Sequence, residues 1–442
     1  MTEEINKLRQ AAEQGDDKAQ FALGRRYENG EGIEQDEAEA VHWYFLAAEN
    51  GEVNAQFNLG YMFASGRGVP KDYDEAVKWF SNASDQEHAG AQYVLGLMYE
   101  KGLGVPKDPE EAVRWYYKSA EQGDIKAQIK LGQLYLNGVG VEPDDVEAAY
   151  WFKKSAEQGE INAQYELGLL YSQGRGVTRD YTTSILWYHK AAEQGCDRAQ
   201  YALGLMYGSG RGVAKDYTAA ARWWQSAAEK GNAKAMFALG NIYEHGHAVE
   251  KDTVTALSWY LKAAENKDTD AQRVLGFIYC NGTGVSVDYG AAVKWFSLAS
   301  EQGDAKAMYN LGLLYKDAKG VERDIARATK LFYESAIRGL AAAQFSYALI
   351  YYDGNETEKD YVIAEQWFRK SAEQGYANAQ LMMAYLYYEG HGVQADLDEA
   401  QAWVDRAASR GHEHAAELRR AIEVRLALSR VGFQSKRKRP IE

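Results

Sequence analysis

The chain has 442 residues, 46% hydrophobic and 26% charged, the balance of a folded rather than a disordered protein. Its net charge is −14, and because residues 412–442 hold eight Lys or Arg against four Glu, residues 1–411 carry −18. An acidic body repels phosphate backbones, which argues against nucleic-acid binding along it. No apolar stretch approaches the roughly 18–20 residues that cross a bilayer, so membrane insertion is not expected.

The start, Met1-Thr2-Glu3-Glu4-Ile5-Asn6-Lys7, has no apolar h-region, so no signal peptide is expected. The expectation is a cytoplasmic chain, with a periplasmic or secreted location as the alternative if a leader has been trimmed. Residues 1–15 read as an N-terminal capping helix, and from residue 16 the chain repeats itself every 36 residues. Ala19, Ala55, Ala91, Ala127, Ala163, Ala199, Ala235, Ala271, Ala307, Ala343 and Ala379 fall at that spacing without an insertion or deletion. Such a period is the signature of a solenoid. It overrides the length-based expectation of about three domains and implies one elongated, all-α body of eleven helix-turn-helix repeats over 16–411, expected as a monomer.

Within the second repeat, residues 54–63 carry apolar positions at helical spacing and define a first helix, A. Gly66-Arg67-Gly68-Val69-Pro70 ends it, because glycine takes positive φ and proline blocks continuation. Asp72 stands at the N-cap of a second helix, B, whose stripe is Ala76, Trp79, Phe80 and Ala83. The Asp recurs from Asp36 to Asp396. Ten of the eleven tryptophans share the column of Trp79, which reads as a core device, and Leu331 stands there in repeat nine. That repeat also replaces a loop glycine with Ala318, so the weakest seam is expected there.

Polar residues in core columns mark both ends, Lys7 in the tryptophan column and Arg419-Arg420 in the Leu-Gly columns, as capping units require. A C-terminal capping helix is expected over 412–430 and a solvated basic tail over 431–442, including Lys436-Arg437-Lys438-Arg439.

The pattern Ala-Gln-x-x-Leu-Gly-x-x-Tyr, Gly-x-Gly-Val, Asp, Ala-x-x-Trp-aromatic-x-x-Ala resembles the Sel-one-like repeat (SLR), a relative of the tetratricopeptide repeat, over about residues 3–427. The resemblance implies a right-handed α/α superhelix with helix A on its concave face, serving as an adaptor or scaffold, and it implies a bacterial origin. A cysteine-rich subfamily staples its helix pairs with disulfides. Cys196 and Cys280 sit at unrelated repeat positions and form no such pairs, nor any metal-ligand spacing. Other departures are Glu356 for a loop glycine and Ala348 and Ala384 for helix glycines.

No catalytic constellation stands out, and a non-enzyme is expected. The Gly-x-Gly loops separate helices and lack the strand that a phosphate-binding loop follows. The pairs His245/His247 and His412/His414 read as solvated, the recurrent aspartates as caps, and no cofactor or metal is expected. The columns of Asn54, Asn58, Tyr61 and Ser65 share one face of helix A and vary between repeats while the packing columns hold. If helix A lines a groove, Asn54, Asn58, Tyr61, Lys126, Lys130 and Asn162 are the candidates for holding a protein or peptide partner, with Tyr385 and Tyr388 near the other end. A binder of peptidoglycan, another glycan or a host factor in the envelope is the alternative.

Overall fold

A computed structural model describes residues 3–247, 249–354 and 357–437, with side chains as far as 428. Helices are the regular elements throughout the described residues. The chain divides into two compact units, Met1–Ala227 and Ala228–Glu442. The first holds α1 (Glu3–Glu13), α2 (Asp17–Asn29), α3 (Glu37–Glu49), α4 (Val53–Ser65), α5 (Tyr73–Asp85), α6 (Ala89–Lys101), α7 (Pro109–Glu121), α8 (Ile125–Asn137), α9 (Asp145–Glu157), α10 (Ile161–Gln173), α11 (Tyr181–Glu193), α12 (Asp197–Ser209) and most of α13 (Tyr217–Glu229). The second holds α14 (Ala233–His245), α15 (Thr253–Glu265), α16 (Thr269–Asn281), α17 (Tyr289–Glu301), α18 (Ala305–Lys316), α19 (Ile325–Ile337), α20 (Ala341–Asp353), α21 (Tyr361–Glu373), α22 (Ala377–Glu389), α23 (Leu397–Ser409) and α24 (Ala415–Arg437). From α2 to α23, even-numbered helices are A and odd-numbered helices are B.

Each helix packs mainly on its neighbours in sequence, so no single core runs the length of the array and packing gathers into segments.

Both ends of each helix pair are chemically specified. Asp144 accepts from the Val146 and Glu147 amides at 2.8 and 3.1 Å, and the other B-helix aspartates cap in the same way. The A helices have caps of their own: Asp124, for example, accepts from the Ala127 amide at 2.8 Å. Gly66, at φ +75°, closes α4 by donating its N–H to Met62 O. In repeat nine that glycine is missing. α18 ends one residue early, and Ala318 is held at φ +54°, a region that costs an L-residue roughly 1–2 kcal/mol.

The deepest core is the column after the tryptophans. Tyr44, Phe80, Tyr116, Phe152 and Tyr188 in the first unit, and Tyr260, Phe296, Phe332 and Phe368 in the second, are all but completely buried. These rings explain the helix glycines: a Cβ on Gly60 would stand 2.8 Å from the Phe80 ring. Where Ala384 replaces the glycine, the residue opposite in the repeat is Val404, smaller than a ring.

The tryptophan column needs correcting. Trp43, Trp79, Trp151, Trp295 and Trp403 are buried, but Trp115, Trp187, Trp223, Trp259 and Trp367 are half-exposed. The column bridges consecutive B helices, as in Phe45–Trp79 at 5.7 Å and Tyr117–Trp151 at 5.4 Å, which places it at the margin of the core. Lys118 and Lys190 lie 4.0 Å over the rings of Trp115 and Trp187, covering them with apolar stem and cation.

Two polar systems clip helix A to helix B within the repeats. Buried Gln56, Gln92, Gln128 and Gln164 each accept from the glutamine thirty residues later, at 2.8–3.0 Å. Gln128 also donates back to Ala120 O at 3.1 Å. The second system alternates. Tyr44, Tyr116 and Tyr260 donate their hydroxyls to Glu28, Glu100 and Glu244, sixteen residues earlier, at 2.5–2.6 Å. Opposite the hydroxyl-free rings Phe80, Phe152 and Phe296 that position holds Ala64, Leu136 and Cys280.

At the ends, Ile5 and Ala12 of α1 and Ala415, Leu418 and Ile422 of α24 are buried, while Lys7, Arg419 and Arg420 are exposed. The terminal helix continues to Arg437, so residues 431–437, expected as tail, are helical. Lys438 and Arg439 of the basic cluster lie outside the described residues, as does Glu356.

Candidate partner-binding surface

The A helices present the columns that vary. On α4, Asn54 and Tyr61 are exposed and Asn58 is half-buried. Asn54 donates to Glu52 at 2.9 Å, a local bond that leaves its carbonyl free for a ligand. The Tyr61 ring packs edge-on against Phe57 and Phe80, at 4.9 and 5.4 Å, with 47% of the residue still open to solvent. Asn58 lies beside the Tyr44 phenol and opposes part of the rise in its pKa that burial and Glu28 cause.

The lysines of α8 differ from each other. Lys126 is exposed, whereas Lys130 is half-buried and paired with Glu100 at 2.9 Å. Burial opposes ionisation of Glu100, but the Tyr116 hydroxyl and the Lys130 ammonium outweigh it and hold the carboxyl below its ordinary value. Burial, with the same contact, pushes the Tyr116 phenol far above its ordinary value. Lys130 therefore belongs to a clip between repeats, and its replacement is a stability change as well as a surface change. The signal was available: a Glu sits thirty residues before this Lys and sixteen before a core Tyr.

Asn162 on α10 is exposed, donates to Glu160 at 3.1 Å and accepts from Arg198 at 3.0 Å. Arg198 also lies 4.4 Å over the Tyr165 ring and pairs with Glu166 at 3.5 Å. Burial raises the Glu166 carboxyl despite that cation. In the second unit, Tyr385 and Tyr388 of α22 are half-buried, and Arg425 of α24 covers Tyr388 at 4.7 Å.

The candidates therefore form separate groups on α4, α8, α10 and α22. Between the first two, α6 offers Gly90, Val94 and Leu97 in the corresponding columns, and Val94 is buried. The stripe is thus a patchwork of polar and apolar stretches. What column-by-column reading overlooked is the half-buried aromatic column beside it, Phe57, Tyr93, Tyr165 and Tyr201, visible in the sequence as a ring at nearly every 36th position.

Among the described residues, no three His, Cys, Asp or Glu side chains converge as a metal site would need. His245 and His247 stack at 5.8 Å, and His414 contacts Glu413 at 3.3 Å. Cys196 and Cys280 are free thiols, the latter raised in pKa by burial. No described helix is long and apolar enough to cross a membrane.

Repeated helix pairs with buried rings against glycines, capped at both ends, define a helical repeat protein. The chain belongs to the Sel1 repeat family, whose repeat it matches over residues 17–52, 53–88, 89–124, 125–160, 161–196, 197–232, 233–268, 269–304, 305–340, 341–376 and 377–412. Among solved structures it is similar to c5321, described as a protective antigen present in uropathogenic Escherichia coli strains displaying an SLR fold: 38% identity, 95% of this chain and 90% of that one, TM-score 0.70. It is also similar to a Sel1 repeat protein from Oxalobacter formigenes, at 36% identity over 71% of this chain and 91% of that one, TM-score 0.58. No curated protein matches the chain. Sel1 repeat proteins are in general protein-interaction scaffolds, and the solenoid family is typically non-catalytic.

Proposed function

We propose that this protein is a non-catalytic, bacterial scaffold or adaptor that binds a protein or peptide along the exposed face of its A helices, the concave side in the family resemblance. One observation carries the reading: the A-helix column shared by Asn54, Lys126 and Asn162 is exposed in nearly every repeat and changes from repeat to repeat, as does the column of Tyr61, which ranges from half-buried to exposed, while the core columns beside them hardly change. Amide groups, an ammonium and phenol rings at a spacing set by rigid helices suit an extended chain, whose carbonyls and carboxylates they can meet.

The test is capture from native extract followed by binding at equal folding. Replacing Asn54 and Lys126 with alanine is expected to weaken the captured partner more than tenfold, since hydrogen bonds to charged groups contribute about 1.5–3 kcal/mol each. Folding stability should move by less than about 0.5 kcal/mol, because both positions are exposed. The control replaces Lys78 and Arg114 on B helices, whose exposed pairs with Glu75 and Glu111 contribute at most about 1 kcal/mol. Loss of binding in the control alone would move the site to the B-helix face.

The description of c5321 as a protective antigen favours a second reading, an envelope or secreted chain that binds a host factor, peptidoglycan or another glycan. Fractionation of the native cell separates the two: recovery with envelope or medium supports the second, recovery in the cytoplasm the first.

A further inference from the structure

In the first unit, a cavity of about 270 Å³ opens on the A-helix face between α10 and α12. Met206 and the Tyr188 ring, both buried, form its floor, and half-buried Tyr165 and Tyr201 line it with the exposed Leu205. Its volume is below the roughly 300–1,000 Å³ of sites that enclose a whole small ligand, and suits one large side chain.

The charge at this cavity is unusual for the molecule. Residues 1–411 carry −18, yet two arginines and no described Asp or Glu line the opening. Arg198 is engaged by Asn162 and Glu166. Arg211 is not engaged. The loop arginine at its position in repeats two and five is held by an acid thirty residues earlier: Arg67 by Glu37 at 2.7 Å, and Arg175 by Asp145 at 2.5–3.0 Å. Thirty residues before Arg211 stands Tyr181, and Arg211 forms no ion pair among the described residues. A guanidinium left without its carboxylate, beside an aromatic-lined cavity, is complementary to a carboxylate carried next to an apolar group.

We infer that this cavity takes an apolar or aromatic side chain of a peptide partner whose adjacent residue is Asp or Glu, the carboxylate pairing with Arg211. The inference rests on the peptide-binding reading above and adds the partner's chemistry and the point of anchorage.

The experiment selects a random dodecapeptide phage library on the immobilised full-length chain. Enriched peptides, made with a fluorescein label, are then titrated against the parent, Arg211→Glu and Arg211→Lys by anisotropy. Arg211 is exposed and unpaired, so both variants should fold like the parent, with circular dichroism as the check. The expected enrichment is Asp or Glu beside Leu, Phe, Tyr or Trp. Affinity should fall at least tenfold with Arg211→Glu and much less with Arg211→Lys. Peptides with Lys in place of the acid should lose binding to the parent and regain it on Arg211→Glu. Enriched peptides without that pattern, or with affinities indifferent to Arg211→Glu, overturn the inference. If such peptides are weakened instead by the Asn54 and Lys126 substitutions, the peptide-binding reading stands without this cavity. No enrichment at all overturns both.

Discussion

The first unit is clipped within every repeat from one to five, whereas the second keeps the clip only in alternate repeats, at Gln302–Gln272 and Gln374–Gln344. In the first, Asn50, Gln86, Gln122, Gln158 and Gln194 each donate to a buried glutamine of the preceding A helix. In the second, that buried position becomes Met236 and Met308, and Asn266 reaches only the Met236 sulfur, at 3.7 Å. At Gln380 the donor position holds Arg410, and the Gln380 carbonyl is buried without a partner. Leu340 and Tyr376, like Cys196 in the first unit, stand where an A-helix cap belongs and provide no side-chain bond. The Tyr–Phe alternation also ends in the second unit, with Phe296, Phe332 and Phe368 in succession. Yet both units make the same helix pairs. Ring burial against the A helix therefore maintains the fold, and the polar clips adjust how firmly the paired A and B helices hold together.

The largest expected effect tests that division. Phe152→Ala, which empties a fully buried site, should cost about 3–5 kcal/mol. Trp187→Ala, at a half-exposed ring, should cost clearly less. Urea unfolding of both variants checks the order; the reverse order would put the core back in the tryptophan column.

This distinction was not legible from the repeat alone. The period, the caps at Asp36 to Asp396 and the small residues fixed helix boundaries and pairing, because backbone requirements leave few residue choices. Trp79 and Phe80 are adjacent, apolar and equally regular, and which of them faces the preceding A helix depends on the packing angle between helices. The candidate surface was legible in the same partial way. Exposure of Asn54, Tyr61 and Lys126 follows from helical phase, but the pairing of Lys130 with Glu100 depends on reach between neighbouring A helices. So does the freedom of Arg211, which comes down to Tyr181 standing where Glu37 and Asp145 stand elsewhere.

A second effect follows from the buried tyrosines. Burial pushes the Tyr188 phenol up to about 12 from 10.0, and Tyr44 and Tyr116 are raised as well. With its folded pKa above the unfolded one, Tyr188 keeps its proton longer in the native state. Its stabilising contribution is complete below pH 10 and is lost as pH rises to about 12. A two-unit shift corresponds to roughly 2–3 kcal/mol. Unfolding titrations between pH 8 and 12 should show that decline, and Tyr188→Phe should lessen it without abolishing it, because Tyr44 and Tyr116 remain.

The glutamine ladder predicts opposite signs in the two units. Gln158→Ala strands the Gln128 carbonyl and should destabilise by about 1–3 kcal/mol. Arg410→Gln supplies the donor that Gln380 lacks and should stabilise by about 0.5–1.5 kcal/mol. Thermal unfolding of the pair checks both signs. Smallest is Ala318→Gly, which relieves a positive φ and should gain up to about 1 kcal/mol. Amides over residues 313–340 should exchange faster than those of repeats four to six in the parent, and the substitution should narrow the gap.

The most direct test of the proposed role is hydrogen exchange of the full-length chain with and without its captured partner. If the A-helix face is the docking surface, added protection will fall on consecutive A helices such as α8, α10 and α12, while α7, α9 and α11 stay unchanged. Protection confined to those B helices, with the A helices unaffected, would contradict it.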